Sequence, residues 1–225
     1  MIAFDAVRVI RDGHVILDDI SVRLGERRIG IIGANGSGKS TFVRLINGIE
    51  QPDGGWVQVD ELDAGRDRKA LRRRVGFVFQ NPDNQIVYPL VTEDLAFGLQ
   101  NLRLPKAEIQ SRIEHFARHH GIHHLLERMT YKLSGGEKQL VALLGVLIME
   151  PAYVVLDEPT TLLDLKNKKT MMDAILALPQ PVIVVSHDLD FLASFERVLQ
   201  FEGGRIVADG HPNQVIPRYI EQSLC

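Results

Sequence analysis

The 225-residue chain has one cysteine, Cys225, at its last position, which excludes an internal disulfide framework and suits a reducing compartment. Long apolar runs are also missing. The longest, Leu140 to Met149, is about half of the roughly 20 residues needed to cross a bilayer, so any membrane role falls to a partner that spans. The opening Met1-Ile2-Ala3-Phe4-Asp5 has neither a basic n-region nor an extended apolar h-region, and no signal peptide is expected. There is no surplus of positive charge. A formal net charge of -3 gives no general basic surface and argues against nucleic acid as the main partner. Internal repeats and low-complexity tracts are absent too. What is present is an ordinary globular balance, 45% hydrophobic and 24% charged, in a length that fits one large domain or a domain with an inserted subdomain.

Residues 2–24 alternate as two strands about an Asp12-Gly13 turn. Arg28 to Ile32 is an apolar run of buried-strand length. It leads into Gly33-Ala34-Asn35-Gly36-Ser37-Gly38-Lys39-Ser40-Thr41, and Thr41 to Ile46 then reads as a helix. This stretch fits the phosphate-loop pattern G-x-x-x-x-G-K-[ST] in the strand–loop–helix setting the pattern requires. Its glycines let backbone N–H groups turn toward one anionic centre. Lys39 adds a full positive charge for the β and γ phosphates, and the Ser40 hydroxyl suits Mg²⁺.

Trp56 to Asp60 and Val75 to Phe79 resume strands, while the basic run from Arg68 to Arg74 reads as a solvated helix end. From Gln80 to Met149 the period turns helical. Lys106 to His120 forms one helix stopped by Gly121, and His123 to Arg128 begins another short one. The helix after Ser134-Gly135-Gly136 is apolar nearly all round and should be buried. The histidines His115, His119, His120, His123 and His124 complete no ligand set of known spacing and read as a solvated surface. Tyr153 to Leu156 and Val182 to Val185 are central parallel strands, and Val198 to Ala208 is an antiparallel hairpin. The residues that follow that last pattern are too few for another domain.

Both parallel strands end in polar groups, Asp157-Glu158 and Ser186-His187-Asp188, where open α/β sheets place their ligands. Asp157 suits Mg²⁺ bridging two phosphates, Glu158 can polarise an attacking water, and His187 can donate to a γ-phosphate oxygen. Leu133 to Gln139 offers a second anion cradle at a helix start. One chain already has its phosphate site, so a second cradle suggests a site completed by another chain.

Gly33–Thr41, Gln80, Leu133–Gln139, Val154–Glu158, Thr161–Asp164 and His187 together resemble the ATP-binding subunit of an ABC transporter, in the family's order along essentially the whole chain. The resemblance implies a phosphate-loop NTPase (RecA-like) α/β core with an N-terminal antiparallel β subdomain and an inserted α-helical subdomain. It places the core in residues 1–81 and 151–225 and the helical part in 82–150 of a single domain. It further implies a head-to-tail homodimer around two Mg-ATP. Ser134, Gly135 and Gly136 of one copy would meet the γ phosphate on the other, with Asp164 in the loop that crosses the interface. Gln80 would sense metal and water.

Gln80-Asn81-Pro82-Asp83-Asn84-Gln85-Ile86-Val87, followed by Thr92 to Gly98, is similar to the ATPases of energy-coupling factor importers of vitamins and transition-metal ions. That likeness implies a transmembrane coupling protein and a substrate-binding membrane subunit as partners, with the chain peripheral on the cytoplasmic face of the membrane. The end at Cys225 leans toward the biotin type over the cobalt or nickel type. A DNA-repair ATPase of the same superfamily would need coiled-coil or zinc insertions and a basic groove, and none is present. The family usually stacks adenine on an aromatic residue after the first strand. Here Val9 to His14 has no Tyr or Phe, leaving Arg11 or His14 as the stacking candidate. Thr161 and Leu162 stand in the interface loop where smaller residues are common.

Overall fold

The computed structural model describes residues 1–100, 102 and 104–224. Cys225 lies outside the described residues. The strand-forming runs separate into two sheets. The first is antiparallel, with β1 (Ile2–Arg11), β2 (His14–Leu24), β4 (Gly54–Val59) and β5 (Leu62–Asp63) in the order β2-β1-β4-β5. The second contains β3 (Arg28–Gly33), β6 (Val75–Val78), β7 (Tyr153–Asp157), β8 (Val182–Val185), β9 (Arg197–Glu202) and β10 (Arg205–Gly210) in the order β10-β9-β3-β8-β7-β6. All its neighbours pair parallel except β10, which folds back on β9. The expected C-terminal hairpin is therefore an extension of the core sheet, because β9 also pairs with β3.

Continuous Val/Ile runs are what a sheet covered on both faces demands. Val154, Leu156, Val182 and Val184 face one core, while Val155, Ile183 and Val185 face the other. The second core holds the antiparallel sheet and helix α1 (Lys39–Ile46), whose Phe42 stacks on Phe4 at 4.3 Å between ring centroids. A short basic helix, α2 (Arg68–Arg74), buries only Leu71.

Between β6 and β7 no strand of either sheet occurs among the described residues. That stretch carries α3 (Val91–Gln100), α4 (Lys106–His119) and α5 (Gly135–Leu147). As its composition requires, α5 is deeply buried, from Gln139 and Val141 through Leu147. The short helix expected from His123 is instead a 3₁₀ turn, His123–Leu125. Its apolar anchors, Ile122, Leu125 and Leu126, span too few residues to sustain repeated turns. After β7 come α6 (Leu165–Ala177), α7 (Leu189–Leu192) and, beyond β10, α8 (Pro212–Leu224). Residues following the last strand thus form a helix, and it packs on β9 and β10.

Candidate nucleotide site

The fully buried strand β3 delivers the chain at Gly33 to a loop that ends where α1 begins. Gly38 caps α1 with φ of 99°, a left-handed conformation that favours glycine. Lys39 is buried, and its Nζ donates to the carbonyls of Gly33 (2.8 Å) and Ala34 (2.9 Å). These bonds hold the ammonium inside the curl of the loop. Burial lowers its pKa below the ordinary lysine value, against the opposing pull of Glu158 and Asp157. Ser37 Oγ is buried without a hydrogen-bond partner.

The carboxyl ends of β7 and β8 meet this loop. Ser40 Oγ donates to Asp157 Oδ1 at 3.0 Å, and Arg44 of α1 reaches Asp157 Oδ2 at 3.4 Å. Asp157 is 1% exposed, so these partners satisfy a carboxylate that water hardly reaches. Glu158 turns out of the strand with φ of 52°, a left-handed conformation unusual for a residue with a side chain. Thr161 Oγ1 donates to its Oε2 at 3.0 Å. Its Oε1 is buried and has no aligned donor, although His187 Nε2 lies 3.1 Å away. Backbone strain here directs a buried carboxylate with one unused acceptor toward the phosphate loop.

The loop residues Asn35 to Thr41, with Ile16, Gln80, Glu158, Thr161 and His187, enclose an open cleft of ≈ 440 Å³. Gln80 follows β6, and the segment after it is tied to α5. Phe79 N donates to Gln85 Oε1 (3.2 Å), and Gln85 Nε2 donates to the Ala142 carbonyl (2.6 Å). The structure therefore brings Lys39, Ser40, Asp157, Glu158, His187 and Gln80 together. Ser134, Gly135 and Gly136 stand apart from the cleft at the start of α5. There Ser134 and Glu137 form a capping box, with Glu137 N to Ser134 Oγ at 3.3 Å and Ser134 N to Glu137 Oε2 at 2.8 Å. Asp164 caps α6 and borders a neighbouring hollow that it shares with Glu158 and His187.

Arg11 is not brought to the cleft. Its guanidinium is held by Glu50 (2.7 Å) and Asp53 (3.0 Å), two carboxylates that compete successfully for it. The residue that β2 lays along the phosphate loop is Ile16. Sequence reading passed over Ile16 because an aliphatic residue in an alternating strand reads as core. Arg44 and the Thr161–Glu158 bond were missed as well. Arg44 lies one turn beyond Ser40 on the same helix face, and that i, i+4 spacing was the available signal.

A glycine-rich loop entering a helix, opposite a buried Asp-Glu pair at the carboxyl end of a parallel strand, defines a phosphate-loop NTPase. Within that class, the chain belongs to the ABC transporter family, whose model matches residues 17–161. ATP-binding proteins of this family are ATPases coupled to transport, and this chain is one of them. An ABC transporter ATP-binding protein of Bartonella quintana (strain Toulouse) is 54% identical over 222 residues, 99% of this chain and 98% of that one. The biotin transport ATP-binding protein BioM of Rhizobium etli is 45% identical over 220 residues, 98% of each chain. Among solved structures, cbiO1 of Clostridium perfringens, part of the ABC transporter complex cbiONQ, superposes with a TM-score of 0.84. It shares 33% identity over 97% of this chain and 91% of that one. No helix among the described residues is long and apolar enough to cross a membrane.

Proposed function

We propose that the chain is the ATP-hydrolysing subunit of an energy-coupling factor importer, peripheral on the cytoplasmic face of the membrane, with biotin as the cargo. One observation carries the reading. A single chain presents a phosphate loop with its acidic pair in one cleft, and a capped, glycine-started helix exposed elsewhere. Two copies arranged head to tail would complete both sites, each signature at Ser134 to Gly136 closing over the partner's phosphates. The near full-length likeness to a biotin transport ATP-binding protein supports the choice of cargo.

In the cleft, Lys39 and the N–H groups of the loop would bind the β and γ phosphates. Ser40 Oγ, the Asp157 carboxylate and Gln80 are hard oxygen donors, and the close Ser40–Asp157 pair fits a Mg²⁺ ion. Bound there, Mg²⁺ supplies charge that offsets the phosphates. Glu158 Oε1, buried and lacking an aligned donor, is the acceptor that would orient the attacking water. Thr161 holds the other carboxylate oxygen, and His187, 3.1 Å from Glu158, would donate to a γ-phosphate oxygen.

Beside the edge strand β6 runs a second groove, of ≈ 520 Å³, lined by Ile49, Phe77, Phe79, Phe97 and Met149. Its apolar walls suit helices of a transmembrane coupling protein, which would join a substrate-binding membrane subunit. The Gln80–Gln85 segment, tied to α5, lies between this groove and the cleft.

The test is Glu158→Gln in the assembled transporter. ATP binding should persist, hydrolysis should fall by about two to three orders of magnitude, and an ATP-loaded dimer should accumulate. Wild-type turnover in the variant would remove Glu158 as the base. Uptake of labelled biotin, Co²⁺ and Ni²⁺ by cells with and without the chain tests the cargo. Loss of metal uptake with biotin uptake intact would overturn the biotin reading.

A further inference from the structure

Helix α6 starts directly after Asp164, and its first turn touches separate parts of the molecule. Asn167 N donates to Asp164 Oδ1 at 2.8 Å, and Asn167 Nδ2 donates to Asp164 Oδ2 at 3.0 Å. Held this way, the Asn167 side chain fills the space against Gly136. A Cβ at Gly136 would lie 2.4 Å from Asn167 Cγ and 2.6 Å from Nδ2. At Gly135 the same atom would meet only the Leu162 carbonyl, at 3.8 Å. The two signature glycines therefore differ: Gly136 is small because Asn167 occupies its side-chain volume. One residue further along α6, Lys168 Nζ pairs with Asp188, the neighbour of His187. His187 in turn lies 3.1 Å from Glu158.

We propose that Asn167 is a positioning residue that holds Gly136 in register with the Asp164 loop, and that Lys168 ties this strut to the His187 side of the chain's own cleft. The inference rests on the two-copy reading above. In that arrangement Gly136 serves the partner's phosphates while His187 serves the chain's own. The contacts from Glu158 through His187, Asp188, Lys168 and Asn167 to Gly136 then join one site to the other. Glu158 and His187 meet as an unaligned polar approach, Asp188 and Lys168 as an ion pair, and Asn167 packs on Gly136, with backbone bonds joining the remaining neighbours. Through such a chain two sites can bias one another.

ATP-driven dimerisation of the Glu158→Gln chain, measured by analytical ultracentrifugation, supplies the background. Adding Asn167→Ala should weaken dimerisation by about tenfold, the size expected for losing one charge-assisted hydrogen bond, with monomer ATP affinity kept within about twofold. Should Asn167→Ala fail to fold, Asn167→Leu removes the same donor at similar volume without adding a charge beside Asp164, and carries the same readout. In the hydrolysing chain, Lys168→Met should lower the Hill coefficient for ATP and Lys168→Arg should restore it. Undiminished dimerisation of the double variant, a parallel loss of monomer ATP affinity, or failure of Lys168→Arg to restore cooperativity would each overturn the proposal. Absence of dimerisation in Glu158→Gln alone would overturn the two-copy reading beneath it, and the two failures are distinguishable.

Discussion

At Gly38 a Cβ would stand 2.7 Å from Leu17 Cδ2 and 2.9 Å from the Ile16 carbonyl oxygen, on a backbone already at φ of 99°. Glycine is therefore required twice, by conformation and by the strand laid over the loop. Gly38→Ala should cost about 2–3 kcal/mol of stability, combining overpacking with backbone strain, and should abolish ATP binding. A thermal melt and a nucleotide titration check the two effects separately. The phosphate-loop pattern made Gly38 legible in the sequence, but its neighbours Ile16 and Leu17 were not. Arg11 shows the converse. Its position suggested a base contact, and the nearby carboxylates of Glu50 and Asp53 took its charge instead. Long flexible cations go to whichever anion the fold brings closest, and spacing along the chain does not record that.

Among the elements, α5 owes its exposed start to the Ser134–Glu137 capping box. The Ser134 backbone N–H holds the Glu137 carboxyl below the usual carboxylate range, outweighing burial, and the Ser134 hydroxyl and Arg128 add to the effect. A depressed acid contributes fully at and above its ordinary range and loses that contribution as pH falls below it. Glu137→Gln should therefore lower stability by about 1 kcal/mol at neutral pH, the worth of a helix cap. The gap to wild type should close on acidification below the ordinary glutamate range. Parallel thermal melts across pH would show it, and a gap that widens on acidification would contradict it. The strong apolar period of α5 was readable in sequence. That of α6 was not, because it buries only Met171 and Ile175 and leaves a lysine-rich face outward. Pro217 within α8 hid that helix in the same way, by breaking the local pattern that tertiary packing then overrides.

Across the whole molecule, the loop before α6 and the first residue of that helix expose Leu162 (64%) and Leu165 (86%) on either side of Asp164. Side chains so exposed add little to the fold, so Leu165→Asp should change stability by no more than about 0.5 kcal/mol. If this loop meets a second copy, the same change should weaken ATP-driven dimerisation and flatten the rise of specific activity with protein concentration. Sedimentation and a dilution series of ATPase rates measure both. Equal dimerisation of variant and wild type would place the interface elsewhere.

By itself the sequence determined the phosphate loop, the acidic pair at a strand end, the histidine after the next strand and the helix that starts at Ser134-Gly135-Gly136. Each is a matter of local backbone conformation and of which donors or acceptors a short segment carries. The tertiary structure decided that Ile16 rather than Arg11 lines the cleft at the phosphate loop. It also decided that Asn167 fills the space beside Gly136, and that the signature lies outside its own chain's cleft. These outcomes depend on covering both faces of one sheet at once, which brings together residues far apart along the chain.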